Sequence, residues 1–192
     1  MNAARRAKAM LLDPRAEWAR IEQETGDLAY VLSRYVAILA LVPAVFGFIG
    51  GSLIGVIVPG GALVHAPIFD GLFGAIFGYA MACATVLLLG LMIGLAAPLF
   101  HGRRDFGSAF KLAVYSSTPV WLAGIFLVLP GLRFLVLTAF YGAYLLWLGL
   151  PRLMPAPEQR SRSFTVLIVM TAWLFIYIAA TAQRTVFGTP GL

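Results

Sequence analysis

Five long apolar stretches, almost free of charged residues, leave this chain with lipid as the solvent its helices must meet. The hydrocarbon layer of a bilayer is about 30 Å thick and takes about 20 helical residues to cross at 1.5 Å each. Stretches of about that length run from Tyr35 to Val58, Gly71 to Ala97, Phe110 to Leu129, Phe134 to Leu150 and Phe164 to Phe187. None shows the alternation of polar and apolar residues that a membrane β-barrel strand needs. Only 11% of the 192 residues are charged, against about 25% in a soluble domain. The expected fold is therefore an all-α polytopic membrane protein with five transmembrane helices and a short N-terminal amphipathic cytoplasmic helix. Residues 1–33 form the cytoplasmic tail, 34–188 the five-helix domain and 189–192 a short C-terminal tail.

The third and fourth stretches together are too long for a single crossing. Leu129-Pro130-Gly131-Leu132 supplies the break, since proline followed by glycine favours a turn, and a tight helical hairpin is expected there. The first 33 residues mix acids with bases, and the apolar run after them is too long for a signal-peptide core, so it is expected to remain as the first span.

Lysine and arginine in the short loops set the orientation. The tail carries Arg5, Arg6, Lys8, Arg15, Arg20 and Arg34. The connection after the second span carries Arg103, Arg104 and Lys111, and that after the fourth carries Arg152, Arg160 and Arg162. The alternate connections carry only Arg133 and Arg184. Five crossings with the basic loops inside put the N-terminus in the cytoplasm and the C-terminus outside. The net charge of +6 thus reads as orientation and contact with anionic lipid, not as a nucleic-acid surface.

The tail segment LLDPRAEWARIEQE has its own logic. Asp13 is placed to cap a helix, Pro14 suits the first helical position, and Glu17 sits where the helix dipole favours negative charge. Trp18, Ile21, Thr25 and Leu28 fall near one face. Gly26 is placed to stop the helix and Asp27 to cap the next. Two readings follow: a surface helix with Trp18 and Ile21 at the headgroup level, or a helix packed on the protein's own loops.

Chemical motifs are sparse. The centres of the spans carry no acid, base or histidine, the residues that usually mark ion or proton pathways. Asp70 reads as a helix cap, and Arg133 and Arg184 as side chains that snorkel to the interface. His65 and His101 are isolated, and Cys83 is a lone apolar thiol. Gly50-Gly51-Ser52-Leu53-Ile54 only begins like the GxSxG nucleophile motif, with isoleucine in the fifth place and no strand before it. Neither an enzyme nor a bound cofactor is expected.

Two patterns stand out. Gly47, Gly51 and Gly55 recur at four-residue spacing in the first span, and Gly74 and Gly78 continue the theme in the second. Such spacing lets helix backbones approach closely, within one chain or between two copies. The second pattern is Tyr115-Ser116-Ser117-Thr118-Pro119 inside the third span. Pro119 cannot donate to the Tyr115 carbonyl, so a kink is expected, with nearby hydroxyls or water satisfying the freed group. Pro43 does the same to Leu39. Tyr141 and Tyr144 lie close by if the hairpin is tight, so Tyr115, Ser116, Tyr141 and Tyr144 either line a polar cavity or make interhelical hydrogen bonds.

The segments LLDPRAEWARIEQE, YSSTPVWLAGIFLVLP and YGAYLLWLGLPRLM resemble the bacterial branch of the Yip1 family, over about Leu11 to Phe187. The resemblance implies five spans and a cytoplasmic N-terminus. Eukaryotic members are linked to vesicle traffic and bind Rab GTPases; this chain has a short tail and lacks their DLYGP-type motif. The expected role is a membrane organiser or adaptor working through helix packing and contact with membrane lipid, a second copy or another membrane protein. The alternative is a transporter or channel for a small neutral solute, using the region between spans three and four.

Overall fold

The computed structural model describes residues 3–24, 28–58, 60–102, 104–155 and 157–187. Asp13 divides the tail into two helices where one was expected. Helix α1 spans Ala3–Leu12 and α2 spans Pro14–Gln23. The segment AARRAKAMLL is built mostly of strong helix formers, and Asp13 closes it by donating its backbone N–H to Ala9 O at 2.8 Å. The Asp13 carboxylate then accepts from the Ala16 N–H at 3.2 Å, with Pro14 in the first position of α2. Thr25, Gly26, Asp27 and Arg103 lie outside the described residues.

Five described helices are long and apolar enough to cross a membrane: Val31–Ile54, Ile68–Phe100, Phe106–Val128, Pro130–Leu153 and Arg160–Val186. All five expected spans are present, with altered ends. The first stops at Ile54, not Val58. Gly55 takes a φ of +95°, open to glycine at little cost, and β1 (Val56–Ile57) then pairs antiparallel with β2 (Leu63–Val64). The second runs on past Ala97, because Pro98 begins a tight 3-10 turn over Ala97–Phe100 instead of stopping the helix. The fourth begins at Pro130, its first eleven residues wound as a 3-10 helix.

Proline breaks the helices where its missing N–H dictates. The first span interrupts at Ala40, three residues before Pro43, and the third at Ser117, two before Pro119. Asp105 caps the third, accepting from the Ser108 N–H at 3.3 Å and its hydroxyl at 2.8 Å.

Tail helices, His101 and Arg160 gather on one face, here termed the basic face; Arg160 Nη1 and His101 Nδ1 lie 2.8 Å apart. The β-hairpin, the Leu129–Pro130 turn and the end of the fifth span lie on the opposite face. Large apolar side chains such as Ile38, Val45, Phe73, Ile76, Leu137 and Tyr177 point outward along the spans. In water such a band would be an aggregation surface; in a bilayer it meets acyl chains.

The buried core lies towards the basic face. Met10, Trp18, Ile21, Ile93, Leu112, Leu150, Met154 and Phe164 are essentially inaccessible there. Glycines admit the larger groups. A methyl on Gly149 would stand 2.6 Å from Trp18 and 2.7 Å from Leu112, and methyls on Gly90 and Gly94 would collide with Phe110 and Phe106.

Candidate functional site

Two polar features sit in or beside the spans. The first closes their base. Arg6, on α1, is 2% exposed and forms ion pairs with Glu17 and Glu24, while Arg20 Nη1 reaches the other Glu17 oxygen at 3.2 Å. Its guanidinium also stands 5.5 Å over the Tyr115 ring, within cation–π range. Desolvation works to lower the Arg6 pKa; the hydrogen bond to Glu24 and the charges around it, Glu17 among them, more than offset this and hold it above the ordinary arginine value. Tyr115 carries Trp18 and Tyr35 edge-on, at ring separations of 6.4 and 5.0 Å.

Pro119 builds the polar link above this stack. The carbonyl it frees on Tyr115 accepts a hydrogen bond from Thr118 Oγ1 at 2.7 Å, and Tyr35 Oη lies 2.7 Å from the same Thr118 oxygen. A neighbouring hydroxyl therefore satisfies the kink, and the first span is tied to the third at that level.

The second feature is a cavity of about 310 Å³ between the spans. Its lining follows the second span from Gly71 to Leu89, which is about 27 Å at 1.5 Å per residue. The fifth span faces it with Val169, Trp173 and Gln183, the third with Ser116 and Trp121, the first with Gly47 and Gly51. So long a wall makes the cavity an elongated slot. The lining is mostly apolar, and its described residues include one cation, Arg133, and no carboxylate, histidine or cysteine. Ser52 and Ser116 both line it, and both hydroxyls are buried without a hydrogen-bond partner among the described residues.

The glycine pattern has to be corrected. Gly55 packs no helix, since it forms the left-handed turn into the hairpin. A methyl on Gly51 would meet nothing within 4 Å, and one on Gly47 only Leu127 Cδ1 at 3.8 Å. Both therefore line the slot and make no close backbone contact. The π-helical turn over Ile49–Ile54 rotates the glycine face, so that Gly50, not Gly51, sits hard against the Leu127 carbonyl. Gly74 and Gly78 also line the slot, beside Gln183, whose amide donates to Gly74 O at 3.3 Å.

The tyrosine cluster divides in the same way. Tyr115 belongs to the base, Ser116 lines the slot, Tyr141 donates its hydroxyl to Leu11 O at 3.2 Å, and Tyr144 is 42% exposed. The four line no common cavity, because successive helical positions point to different sides. Pro119 acts through the kink. Trp18 and Ile21 are both fully buried on the spans, so they do not meet lipid headgroups; α2 turns its apolar face towards the fourth span, where Gly149 makes room for Trp18. Arg6, Glu17 and Arg133 were missed as site residues. Among the described residues, no three of His, Cys, Asp and Glu are grouped so as to hold a metal ion.

Residues 8–181 match the Yip1 domain. The inner membrane protein YohC of Escherichia coli K12 is 27% identical over 156 residues, covering 79% of this chain and 80% of that protein, and YohC of Escherichia coli O6:H1 matches equally. No solved structure matches the chain.

Proposed function

This chain belongs to the Yip1 family, and on that premise we propose that it is a non-enzymatic inner-membrane protein that holds a membrane lipid in its intramembrane slot and organises its surroundings through that contact. The observation that carries the reading is the slot itself: about 310 Å³, at the lower end of the range of small-molecule sites, with two buried hydroxyls that have no partner among the described residues. A fully packed bundle would have no use for glycine at 47 and 51, where a methyl meets ordinary contact or open space.

The assignment to an inner membrane follows the relatives, which are inner membrane proteins by name. The basic loops support a cytoplasmic N-terminus and an external C-terminus. Transport of a small neutral solute through the slot is the alternative. The base weighs against it: below Ser116 the spans close on Ile93, Leu112, Leu150 and Phe164, all 1% exposed or less, so the slot is better suited to retention than to passage. The outward apolar faces leave room for a second copy or another membrane protein beside the bound lipid.

Native mass spectrometry of the protein extracted in mild detergent tests the reading. A bound lipid is expected on the natural chain and not on Gly51→Leu, whose side chain enters the open part of the slot. Lipid retained equally by both, or absent from both, would remove the basis for it.

A further inference from the structure

The slot closes on an uncharged polar floor. Ser116 is the innermost lining residue of the third span and lies near the middle of Phe106–Val128. Ser117 lines the same end, and Thr85 does so one turn from Leu89, the innermost lining residue of the second span. The Ser117 hydroxyl is spent on Ala113 O at 2.8 Å. Ser116, 3% exposed, has a hydroxyl with no hydrogen-bond partner among the described residues. Ser52, the other such hydroxyl along the slot, lies at the opposite end with its oxygen turned against Gly71, where a methyl would stand 1.9 Å from it. The described lining residues at the inner end include nothing ionisable.

Resting on the slot reading above, we propose that the occupant is an uncharged amphiphile bound head-down, its oxygen-bearing head hydrogen-bonded to Ser116 Oγ in the middle of the membrane and its apolar remainder filling the slot towards Gly51 and Gly71. A hydroxyl buried without a partner is costly, and an occupant that brings an oxygen to it relieves that cost. A pure hydrocarbon would leave the hydroxyl as it is. A phosphate or carboxylate would have to leave water for a floor that holds no counter-charge, which is far more costly than bringing a neutral oxygen there. A phospholipid with its phosphate at the interface would present only its chain at this depth, half-way through a hydrocarbon layer about 30 Å thick. The floor therefore selects a neutral head, and the mostly apolar wall above it receives the rest of the molecule.

Tryptophan fluorescence in nanodiscs tests this. Trp121 and Trp173 line the slot, whereas Trp18 is sealed in the base and Trp147 faces outward, so the full chain carrying Trp147→Phe reports mainly on the slot. Both reporters stand near the floor: the Trp121 N–H donates to Ser117 O at 3.1 Å, and Trp173 is one turn from Val169, the innermost lining residue of the fifth span. The probes are a long-chain alcohol brominated beside its hydroxyl, the same alcohol brominated at its tail tip, the matching brominated alkane and the matching alkyl sulfate. Saturable quenching by the alcohols is expected about fivefold tighter than by the alkane, and stronger from bromine beside the hydroxyl than from bromine at the tail. Ser116→Ala should bring the alcohols to the level of the alkane and leave alkane binding unchanged, a change in ratio that a loss of packing would not produce. Gly51→Leu should abolish saturable quenching by all of them. Equal binding of alcohol and alkane, a preference untouched by Ser116→Ala, or stronger quenching from the tail bromine would overturn the head-down inference and leave the slot standing. Tightest binding of the alkyl sulfate would overturn it in favour of a charged head. No saturable quenching by any probe would overturn the slot reading with it.

Discussion

The base of this molecule and its opposite end are made from the same five helices and are packed in contrary ways. At the base, every large gap is filled: glycine 149 exists so that Trp18 fits, and glycines 90 and 94 so that Phe110 and Phe106 fit. At the opposite end, glycines 47 and 51 border space. The polar groups differ less: Arg6 is buried against two carboxylates and the Tyr115 carbonyl against a threonine hydroxyl, but Arg6 Nε and Trp18 Nε1 in the base have no hydrogen-bond partner among the described residues, as Ser52 and Ser116 along the slot have none. Small residues in a membrane helix thus serve two ends, close contact or room for something else, and spacing alone does not tell them apart.

The contrast breaks most readily at Arg6. Arg6→Ala leaves the buried Glu17 carboxylate with only the exposed Arg20 as partner and should cost about 3 kcal/mol, read as a lowered midpoint of unfolding in detergent. Replacing the pair together, Arg6→Met with Glu17→Leu, should restore most of that loss, because two buried charges are removed at once. If the double variant is as unstable as the single, the ion pair does more than neutralise a buried charge.

Next in size is overpacking at the base. Gly149→Ala places a methyl 2.6 Å from Trp18 and should cost about 1–3 kcal/mol. Thr118→Val leaves the Tyr115 carbonyl without its hydrogen bond and should cost about 1–3 kcal/mol as well, while the kink persists because Pro119 causes it. Thermal unfolding of each variant against the natural chain is the measurement. The smallest effect is expected at the other end. Gly51→Leu should stay within about 0.5 kcal/mol of the natural chain, since a better helix former there meets open space. A large loss at Gly51 would mean that the two ends are packed alike.

Much of this fold was legible beforehand, for reasons that can be named. The spans announce themselves because lipid tolerates no run of charge, and hairpin and kinks follow from the geometry of Pro130, Pro119 and Pro43. Asp13 and Pro14 marked the start of α2 by capping chemistry that needs only neighbours in sequence. The base was hidden because its partners are far apart: Arg6 meets Glu17 eleven residues on and Tyr115 on another helix, and in the sequence it is one basic residue among six in the tail. The segment AARRAKAMLL did carry a signal for α1, in its run of strong helix formers. Trp18 was ambiguous because a narrow apolar face fits a headgroup layer or a glycine-lined recess equally well. The slot was concealed by the π turn in the first span, which moved Gly51 off the contact and put Gly50 in its place; nothing in the local residue types marks such a turn. Arg133 lay close enough to a span end to read as a snorkelling side chain.

The most direct test is an experimental structure of the protein in a lipid nanodisc. Elongated density is expected in the slot beside Gly51, Gly74 and Trp173, with the base closed around Trp18. A first span resting on the second and fifth in dry contact, with Gly47 and Gly51 against backbone and no space left between them, would contradict the hollow end and the function proposed from it.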